Sequence, residues 1–194
     1  MSKESTRETL LDAGWRALSE LGYKHAGLDR IVQSAGVPKG SFYYYFTSKE
    51  AFGIAVLDRF AEQVAEEFSR YLDDEDVSPL ERLRRLSGAL LACLESRDCR
   101  QGCLVGNLCQ EMADQSEAFR ERLDAIFRDW TARYATCLRK AREAGEISAD
   151  LEPETLAEFW LNGWQGAVLR AKAARSTAPI RTFLEVMFGQ VLKK

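Results

Sequence analysis

The sequence has little proline, a single histidine and no long apolar run. Its 194 residues include four prolines and one histidine. All four prolines lie where a helix can begin, a position at which the missing N–H of proline costs no hydrogen bond. No apolar run approaches the roughly 20 residues of a membrane-spanning helix, and the polar segment Met1–Glu8 is not a secretory signal. We therefore expect a cytoplasmic protein without a membrane partner.

Cysteine usage excludes a disulfide scaffold and argues against a metal site. The chain has five cysteines, an odd number, and a cytoplasmic chain keeps its thiols reduced. Four of them crowd positions 93, 99, 103 and 109 without a C-x2-C pair, and the only histidine, His25, is far away in sequence. These spacings are unlike those of zinc sites. We expect no metal or other cofactor, and we expect Cys137 to act as a small buried apolar side chain.

The charge balance differs between the front of the chain and the rest. The net charge is −3, which by itself disfavours a nucleic-acid partner. Residues 1–49, however, carry seven basic and five acidic side chains, a balance of +2, which leaves −5 on the remaining 145 residues. A basic front end on an acidic body predicts two parts with different partners.

Apolar spacing predicts an all-α protein, because helical spacing recurs along the chain and no stretch has the alternation typical of strands. We predict a three-helix unit over residues 1–49, in which Gly22 ends the first helix, and a helical bundle over residues 50–194. A helix from about residue 48 links the two parts. It begins in a predicted capping box, with Thr47 as the N-cap and Glu50 reaching back.

Residues 27–50 have the size and spacing of a helix-turn-helix. Two short helices follow a supporting helix and are joined by a tight turn, in which Gly36 supplies the left-handed backbone conformation. In the short third helix, Phe42 and Phe46 are four residues apart and anchor it inward. The side chains that remain outward suit a DNA major groove, because glycine allows close approach, hydroxyls reach phosphates and lysine adds charge. They are Lys39, Gly40, Ser41, Tyr43 and Tyr44.

The run from Gly36 to Glu50, GVPKGSFYYYFTSKE, resembles the DNA-binding signature of the TetR family of transcriptional repressors. Leu21–Tyr23 and Gly27–Ile31 also fit, and the rest of the chain matches the family in length and helical layout. The resemblance implies an N-terminal helix-turn-helix DNA-binding domain and a C-terminal ligand-sensing and dimerisation domain. It also implies a homodimer that places each third helix in the major groove of a palindromic double-stranded operator.

The resemblance also implies roles for single residues. The residues that would face bases are Lys39, Gly40 and Tyr43. The groups that would hold phosphates are the side chains of Ser41, Tyr44, Tyr45 and Lys49 and the backbone amides of Gly27 and Leu28. Asp29 departs from the family pattern, because some relatives carry a cation at this position that can reach DNA.

The body has the features of a sensing and dimerisation domain. Aromatic and apolar residues on two long helices predict a ligand pocket, although an ordinary bundle core explains the same pattern; they are Phe119, Leu123, Phe127, Trp130, Tyr134, Trp160 and Trp164. The last two helices are the predicted dimer interface, as the TetR resemblance also implies. Close helix packing there is expected from Gly163, Gly166, Ala167, Ala171 and the apolar face of residues 180–191.

Cys103 is the predicted reactive thiol. It follows Gly102 at a predicted helix start, where backbone N–H groups and the helix dipole stabilise a thiolate, and Arg100 or Lys172 would add to this effect. Short stretches resemble TetR-family repressors that are released by reactive electrophiles or oxidants; they are Gly102–Leu104, Asn107–Leu108 and Ala171–Lys172. This resemblance implies ligand binding at Cys103 and Asn107 and redox sensing by Cys103 and Lys172. Covalent modification of Cys103 and non-covalent binding of a small apolar or acidic metabolite remain open alternatives.

Two other classes of function fit the sequence less well. An enzyme would need a base beside Cys103, yet the only histidine lies in the helix-turn-helix part, and neither a Gly-rich phosphate loop nor an HExxH motif occurs. We therefore predict no enzymatic activity, with a thiol-dependent redox enzyme as the alternative. A helical interaction module that does not bind DNA leaves the Lys39–Lys49 surface unexplained. Binding to a palindromic duplex that weakens steeply with salt separates the regulator from both.

Overall fold

A computed structural model describes residues 3–194, and this part of the chain is helical without a β-strand. The helices are α1 Lys3–His25, α2 Leu28–Ser34, α3 Lys39–Tyr45, α4 Lys49–Leu72, α5 Pro79–Glu95, α6 Leu104–Met112, α7 Glu117–Glu143, α8 Pro153–Ala174 and α9 Ala178–Val186, followed by a π-helical segment Met187–Val191. The predicted all-α class is confirmed. Met1 and Ser2, which belong to the predicted N-terminal part, lie outside the described residues.

The helices pack into two compact units. The first comprises the chain up to Gln63 together with Leu104–Leu123, and the second comprises Val64–Cys103 together with Asp124–Lys194. Packing thus groups α6 and the start of α7 with the first three helices and the first part of α4. The predicted division into a DNA-binding domain over residues 1–49 and a sensing and dimerisation domain over residues 50–194 stays a prediction. None of the helices in the described chain combines the length and apolar character needed to cross a lipid bilayer.

The first unit is built on close contact between α1 and α4. A Cβ atom added to Gly14 of α1 would lie only 2.4 Å from Cζ of Phe52 on α4, so this glycine is what allows the two helices to approach. Phe52 also stacks on Phe42 and Phe46, with ring centroids 5.2 and 4.9 Å away. Because Phe42 is fully buried, this cluster fixes the inner side of α3.

The start of α4 differs from the predicted capping box. Ser48, not Thr47, is the N-cap, because its hydroxyl accepts a hydrogen bond of 3.0 Å from the Ala51 N–H. Glu50 does not reach back. Its carboxylate accepts a 2.5 Å hydrogen bond from the Ser116 hydroxyl instead. Helix α4 begins at Lys49, and this shift of one residue moves the third helical position to Ala51.

The second unit has an aromatic core. Phe68 stacks on Tyr134 and Trp130, with ring centroids 5.1 and 6.0 Å apart. Trp160, which is fully buried, stacks edge-on against Phe183 and Phe188 at 5.3 and 5.4 Å. These contacts join α4 to α7, and they join α8 to α9 and to the π-helical segment.

Candidate nucleic-acid interface and effector site

The predicted helix-turn-helix is present as α2, a tight turn and α3. Gly36 in the turn has a φ of +65°, a left-handed conformation that favours glycine. The turn is closed by a hydrogen bond of 3.0 Å from the Val37 N–H to the Val32 carbonyl oxygen. Ile31, Val32 and Val37 are all buried, so the orientation of α2 and α3 is set by apolar packing.

The outward side of α3 carries the side chains that the sequence places there. Tyr43 and Tyr44 are 57% and 65% exposed, the highest values among the large hydrophobic side chains of the first unit. A Cβ atom on Gly40 would meet no atom within 4 Å, so this position is open to close approach from outside. Ser41 and Tyr45 are half-buried. The result is a rigid surface with hydroxyls, a lysine and an open glycine, which suits a major groove.

The remaining predicted phosphate contacts lie at the start of α2. Gly27 is exposed and has the extended backbone of an N-cap residue, and Leu28 is half-buried.

Tyr45 packs edge-on against Tyr44, with ring centroids 5.1 Å apart. The structure therefore places Tyr44 and Tyr45 side by side at the end of α3.

Lys39, the first residue of α3, forms an ion pair with Asp29 on α2. Its Nζ lies 2.6 Å from Oδ1 of Asp29, and both side chains are largely exposed. The hydrogen bond to Asp29 raises the pKa of Lys39. The predicted base-facing lysine is thus paired with an acidic residue of the neighbouring helix.

Lys49 is directed into the protein. Its Nζ donates a 2.7 Å hydrogen bond to the Tyr23 carbonyl oxygen and lies 4.6 Å from the centroid of the Tyr23 ring. Burial lowers the pKa of Lys49. This hydrogen bond uses one of the three N–H donors of the Lys49 ammonium, and the side chain is only half-buried.

Glu111, near the end of α6, binds the backbone of α1. Its two carboxylate oxygens accept hydrogen bonds of 2.7 Å from the N–H groups of Tyr23 and Lys24. These groups are accessible because Gly22, with a φ of +76° and a ψ of 171°, breaks the regular helix that the sequence predicts to end there. The Tyr23 ring packs edge-on against Phe119 at 5.2 Å. No local sequence pattern marks Glu111 as a functional residue, because its contact with Tyr23 spans 88 residues.

Cys103 immediately precedes α6, as predicted for a thiol at a helix start. It is half-buried, and the Gln165 Nε2 lies 3.7 Å from its sulfur. It also packs against a buried cluster formed by Cys99, Trp164, Ala167, Val168, Ala171 and Ile180. Gln165 is a second residue that the sequence did not single out.

Tyr134 and Trp160 lie in the same region of the second unit. Burial raises the pKa of Tyr134 strongly, the Trp160 indole N–H lowers it, and Cys103 and Cys137 raise it further. The indole N–H of Trp160 is itself buried and makes no hydrogen bond of normal geometry within residues 3–194. A buried donor without such a bond costs free energy, and the Tyr134 hydroxyl is the acceptor whose pKa this N–H lowers.

The other predicted ligand contacts are not gathered around one cavity. Trp130 and Trp164 are buried in the aromatic core, and Phe127 packs edge-on against Trp130 at 5.9 Å. Asn107 is half-buried on α6 and belongs to the first unit. Grooves of about 310 and 440 Å³ occur in the second unit, and they are lined by other residues: Phe68, Leu72, Asp73, Asp129, Ala132, Arg133, Thr136, Cys137 and Lys140 in one, and Arg84, Gly88, Leu184, Glu185, Phe188 and Gly189 in the other.

The remaining predicted pocket and redox residues differ in burial and in the unit to which they belong. Phe119 and Leu123 are buried in the first unit, so they are core residues there. Lys172 is half-buried on α8, two helical turns beyond Gln165 and therefore on the same side of the helix. Arg100 is exposed and lies 4.0 Å from a carboxylate oxygen of Asp98.

The other cysteines differ in accessibility. The Cys137 thiol is buried and donates to the Pro79 carbonyl oxygen at 3.1 Å, and burial raises its pKa to about 11. This agrees with its predicted place in the core. Burial also raises the pKa of Cys109, whereas Cys93 is exposed. Within residues 3–194, no group of three or more histidine, cysteine or carboxylate side chains could hold a metal ion.

The small residues of α8 have two different roles. Ala167 and Ala171 are buried within their own unit, and a Cβ atom on Gly163 would lie 2.5 Å from the Phe183 ring. These three residues pack within their own chain, and the predicted dimer interface on the last two helices stays a prediction. Gly166 of α8 faces open space. Large apolar side chains are also exposed nearby in sequence, Phe159 and Leu169 on α8 and Val186 at the end of α9.

Comparisons with known proteins agree with this architecture. Residues 10–56 match the family model of bacterial regulatory proteins of the tetR family, and residues 79–187 match the tetracyclin repressor-like C-terminal domain. The chain is 38% identical to the HTH-type transcriptional repressor DhaR of Mycobacterium sp. (strain GP1), over 99% of this chain and 95% of that protein. It is 32% identical to the HTH-type transcriptional repressor NemR of Escherichia coli K12, over 94% and 92%.

Solved structures give the same assignment. The regulatory protein TetR from Rhodobacter sphaeroides superposes with a TM-score of 0.89 at 39% identity, covering 94% of this chain and 96% of that one. The reduced form of E. coli NemR superposes with a TM-score of 0.86 at 30% identity, covering 98% and 100%. Because sequence, fold and the helix-turn-helix all agree over nearly the whole length, the chain belongs to the TetR family of transcriptional regulators.

Proposed function

We propose that this protein is a cytoplasmic transcriptional repressor that binds a palindromic operator as a homodimer and is released by an effector acting at Cys103. The exposed surface of α3 is the observation that supports DNA binding. Phe42 and Phe46 anchor α3 in the core, while Lys39, Gly40 and Tyr43 face outward. The repressor names of DhaR and NemR support the direction of regulation. We propose no catalytic role.

The experiment that tests this proposal is selection of bound sequences from random duplex DNA. We expect a palindrome whose half-sites lie about 34–36 Å apart, one helical turn, because two α3 helices of a dimer would enter successive major grooves. Affinity should fall steeply as salt rises, since phosphate contacts release counterions. A failure to enrich any sequence, with binding independent of salt, would contradict the proposal.

The proposed dimer interface is the outer face of α8 and α9. Exposed apolar side chains at Phe159, Leu169 and Val186 are the kind of surface that a partner covers. We predict that Leu169→Glu weakens the dimer by about 3 kcal/mol, because a symmetric interface loses the burial of two leucines. Light scattering after size-exclusion chromatography measures the shift to monomer. Lys140→Glu, an exposed change on α7, is the control, and a dimer equally weakened by both would rule out this interface.

We propose that Cys103 is the effector-responsive residue, with Lys172 as an assisting cation and Tyr134, Trp160 and Trp164 beside it. The contact of Gln165 with the sulfur and the buried Trp160 N–H support a site that binds polar atoms. The name of the reduced form of NemR supports a redox version of the proposal. Asn107, Phe127 and Trp130 remain proposed contacts of a bound ligand. A thiol-reactive compound and a non-covalent metabolite are both retained as inducers.

The proposed response is a shift between two states of the dimer, only one of which matches the operator spacing. An effector can shift this balance only through its different affinity for the two states. Helix α6 offers a direct path, because Cys103 precedes it and Glu111 near its end holds the α1 backbone at Tyr23 and Lys24. Helix α4, which runs from the DNA-binding helices into the body, is the second element through which an effector would change the operator spacing.

The Glu111 contact makes a separate prediction. Glu111→Gln leaves one acceptor oxygen for two N–H groups, so we expect it to destabilise the turn after Gly22 by about 2 kcal/mol. Hydrogen exchange at the Tyr23 and Lys24 amides should speed up accordingly. Asp114→Asn, an exposed change two residues beyond α6, is the matched control. Unchanged protection of both amides in Glu111→Gln would show that the carboxylate does not hold this turn.

A further inference from the structure

The ion pair between Asp29 and Lys39 lies on the proposed DNA-binding surface. The Lys39 Nζ and the Asp29 Oδ1 are 2.6 Å apart, on the first turns of α3 and α2, and both side chains are largely exposed. Exposed ion pairs contribute little to folding stability. The pair therefore matters mainly for what it does to DNA binding, and this inference rests on the proposed α3 interface.

Both lysines of this surface already bind other groups of the protein. Lys39 is paired with Asp29, and the Lys49 ammonium donates to the Tyr23 carbonyl oxygen. Affinity for DNA of any sequence grows with the number of cations that neutralise phosphates and release counterions. A lysine that already pairs with a carboxylate adds little to this sequence-independent affinity.

A carboxylate on a major-groove surface also selects among bases. It cannot accept a hydrogen bond from a phosphate, and in the major groove only the amino groups of cytosine and adenine donate hydrogen bonds. A lysine ammonium matches the O6 and N7 acceptors of guanine. Side by side, Lys39 and Asp29 thus present a donor and an acceptor to neighbouring base edges.

We propose that Asp29 is a specificity-determining residue for DNA binding. On non-operator DNA it offsets the charge of Lys39 and keeps binding weak. On the operator it holds the Lys39 ammonium toward a guanine while its own carboxylate accepts from the amino group of an adjacent cytosine or adenine. Asp29 therefore lowers affinity for every wrong sequence more than it lowers affinity for the right one.

Asp29→Asn tests this inference. The selected operator and a scrambled duplex of equal length are titrated with the wild-type and variant proteins at several salt concentrations. We expect affinity for the scrambled duplex to rise about tenfold at low salt, with a salt slope steeper by about 0.9 for each subunit that gains a phosphate contact. Operator affinity should rise less or fall, so the ratio between the two affinities drops.

Glu20→Gln is the matched control, because it removes one negative charge from the exposed face of α1. It should leave the ratio of affinities unchanged. An equal gain for both duplexes in Asp29→Asn, or no gain for either, would overturn the inference. Thermal unfolding checks that Asp29→Asn still folds, since an acidic residue in the first turn of α2 also interacts favourably with the helix dipole.

A double-mutant cycle separates this inference from the proposed interface. In a Lys39→Gln background, Asp29→Asn should have less than one third of its effect on the scrambled duplex, because the charge that it releases is gone. A full effect in that background would overturn the pairing. If Lys39→Gln alone leaves operator affinity unchanged, the interface itself is wrong. If Lys39→Gln weakens binding while Asp29→Asn changes nothing, only the role of Asp29 fails.

Discussion

Lys39→Ala and Tyr43→Ala combined should weaken operator binding at least about 100-fold. Each side chain that contacts a base edge contributes about 1–3 kcal/mol, and the dimer would lose the contacts in both half-sites. Tyr43 is 57% exposed on α3 and contacts the buried Phe42 ring only edge-on, so its removal opens no cavity in the core. Fluorescence anisotropy with the selected operator measures the change, and thermal unfolding should show little difference.

The two single substitutions distinguish base contact from general attraction. We expect Tyr43→Ala to weaken binding to the operator and to leave the scrambled duplex nearly unaffected. Lys193→Ala, an exposed lysine near the end of the chain, is the control for loss of one positive charge. Operator binding that survives both substitutions on α3 would show that this helix does not face the bases.

Cys103→Ser should abolish release of the operator by a thiol-reactive compound while leaving DNA binding intact. Iodoacetamide is a suitable probe, because the sulfur forms a bond to carbon, iodide leaves and the thiol proton passes to solvent. The product adds a carboxamidomethyl group to a half-buried sulfur that packs against Trp164 and contacts Gln165, so we expect it to disturb this packing. We expect wild-type protein to lose at least about tenfold in operator affinity, and Cys103→Ser to lose none.

The other thiols supply the control for this prediction. Cys93 is the exposed thiol, so Cys93→Ser removes the most accessible competing site. Cys137 should stay unmodified near neutral pH, because its pKa is about 11 and its thiol donates to the Pro79 carbonyl. Mass spectrometry of digested protein locates the modification. If Cys93→Ser prevents release and Cys103→Ser does not, the assignment of Cys103 is wrong.

A non-covalent inducer would give a different pattern. It would still release Cys103→Ser from DNA, and its acceptor atom would have a buried donor to bind in the Trp160 indole N–H. Trp160→Phe keeps the aromatic packing against Phe183 and Phe188 but removes that donor. Loss of response in Trp160→Phe, with response retained in Cys103→Ser, would favour the metabolite over the thiol-reactive compound.

Much of the architecture follows from short-range patterns in the sequence. The turn at Gly36 needs a positive φ that glycine adopts without strain, and the spacing of Phe42 and Phe46 defines the buried side of α3. The positions of Cys103 before α6 and of Cys137 in the core were predicted in the same way. These features depend on residues a few positions apart, so helical periodicity and turn chemistry are enough to predict them.

Contacts between distant residues were decided by the tertiary structure. The pairing of Asp29 with Lys39 spans a turn, the contact of Lys49 with Tyr23 spans 26 residues, and that of Glu111 with Tyr23 spans 88. Periodicity places a residue on a face of its helix, but it does not say which other element covers that face. By the same limit, periodicity alone does not predict that Ala167 and Ala171 pack within a buried cluster of their own chain.

The sequence by itself thus determined the helix-turn-helix, the family and the outward surface of α3, because each depends on local spacing and on a distinctive motif. Only the tertiary structure decided how the charges of that surface are used. Lys39 is paired with Asp29, and Lys49 is turned toward Tyr23. Electrostatic pairing depends on distances between side chains, and those distances exist only once the chain has folded.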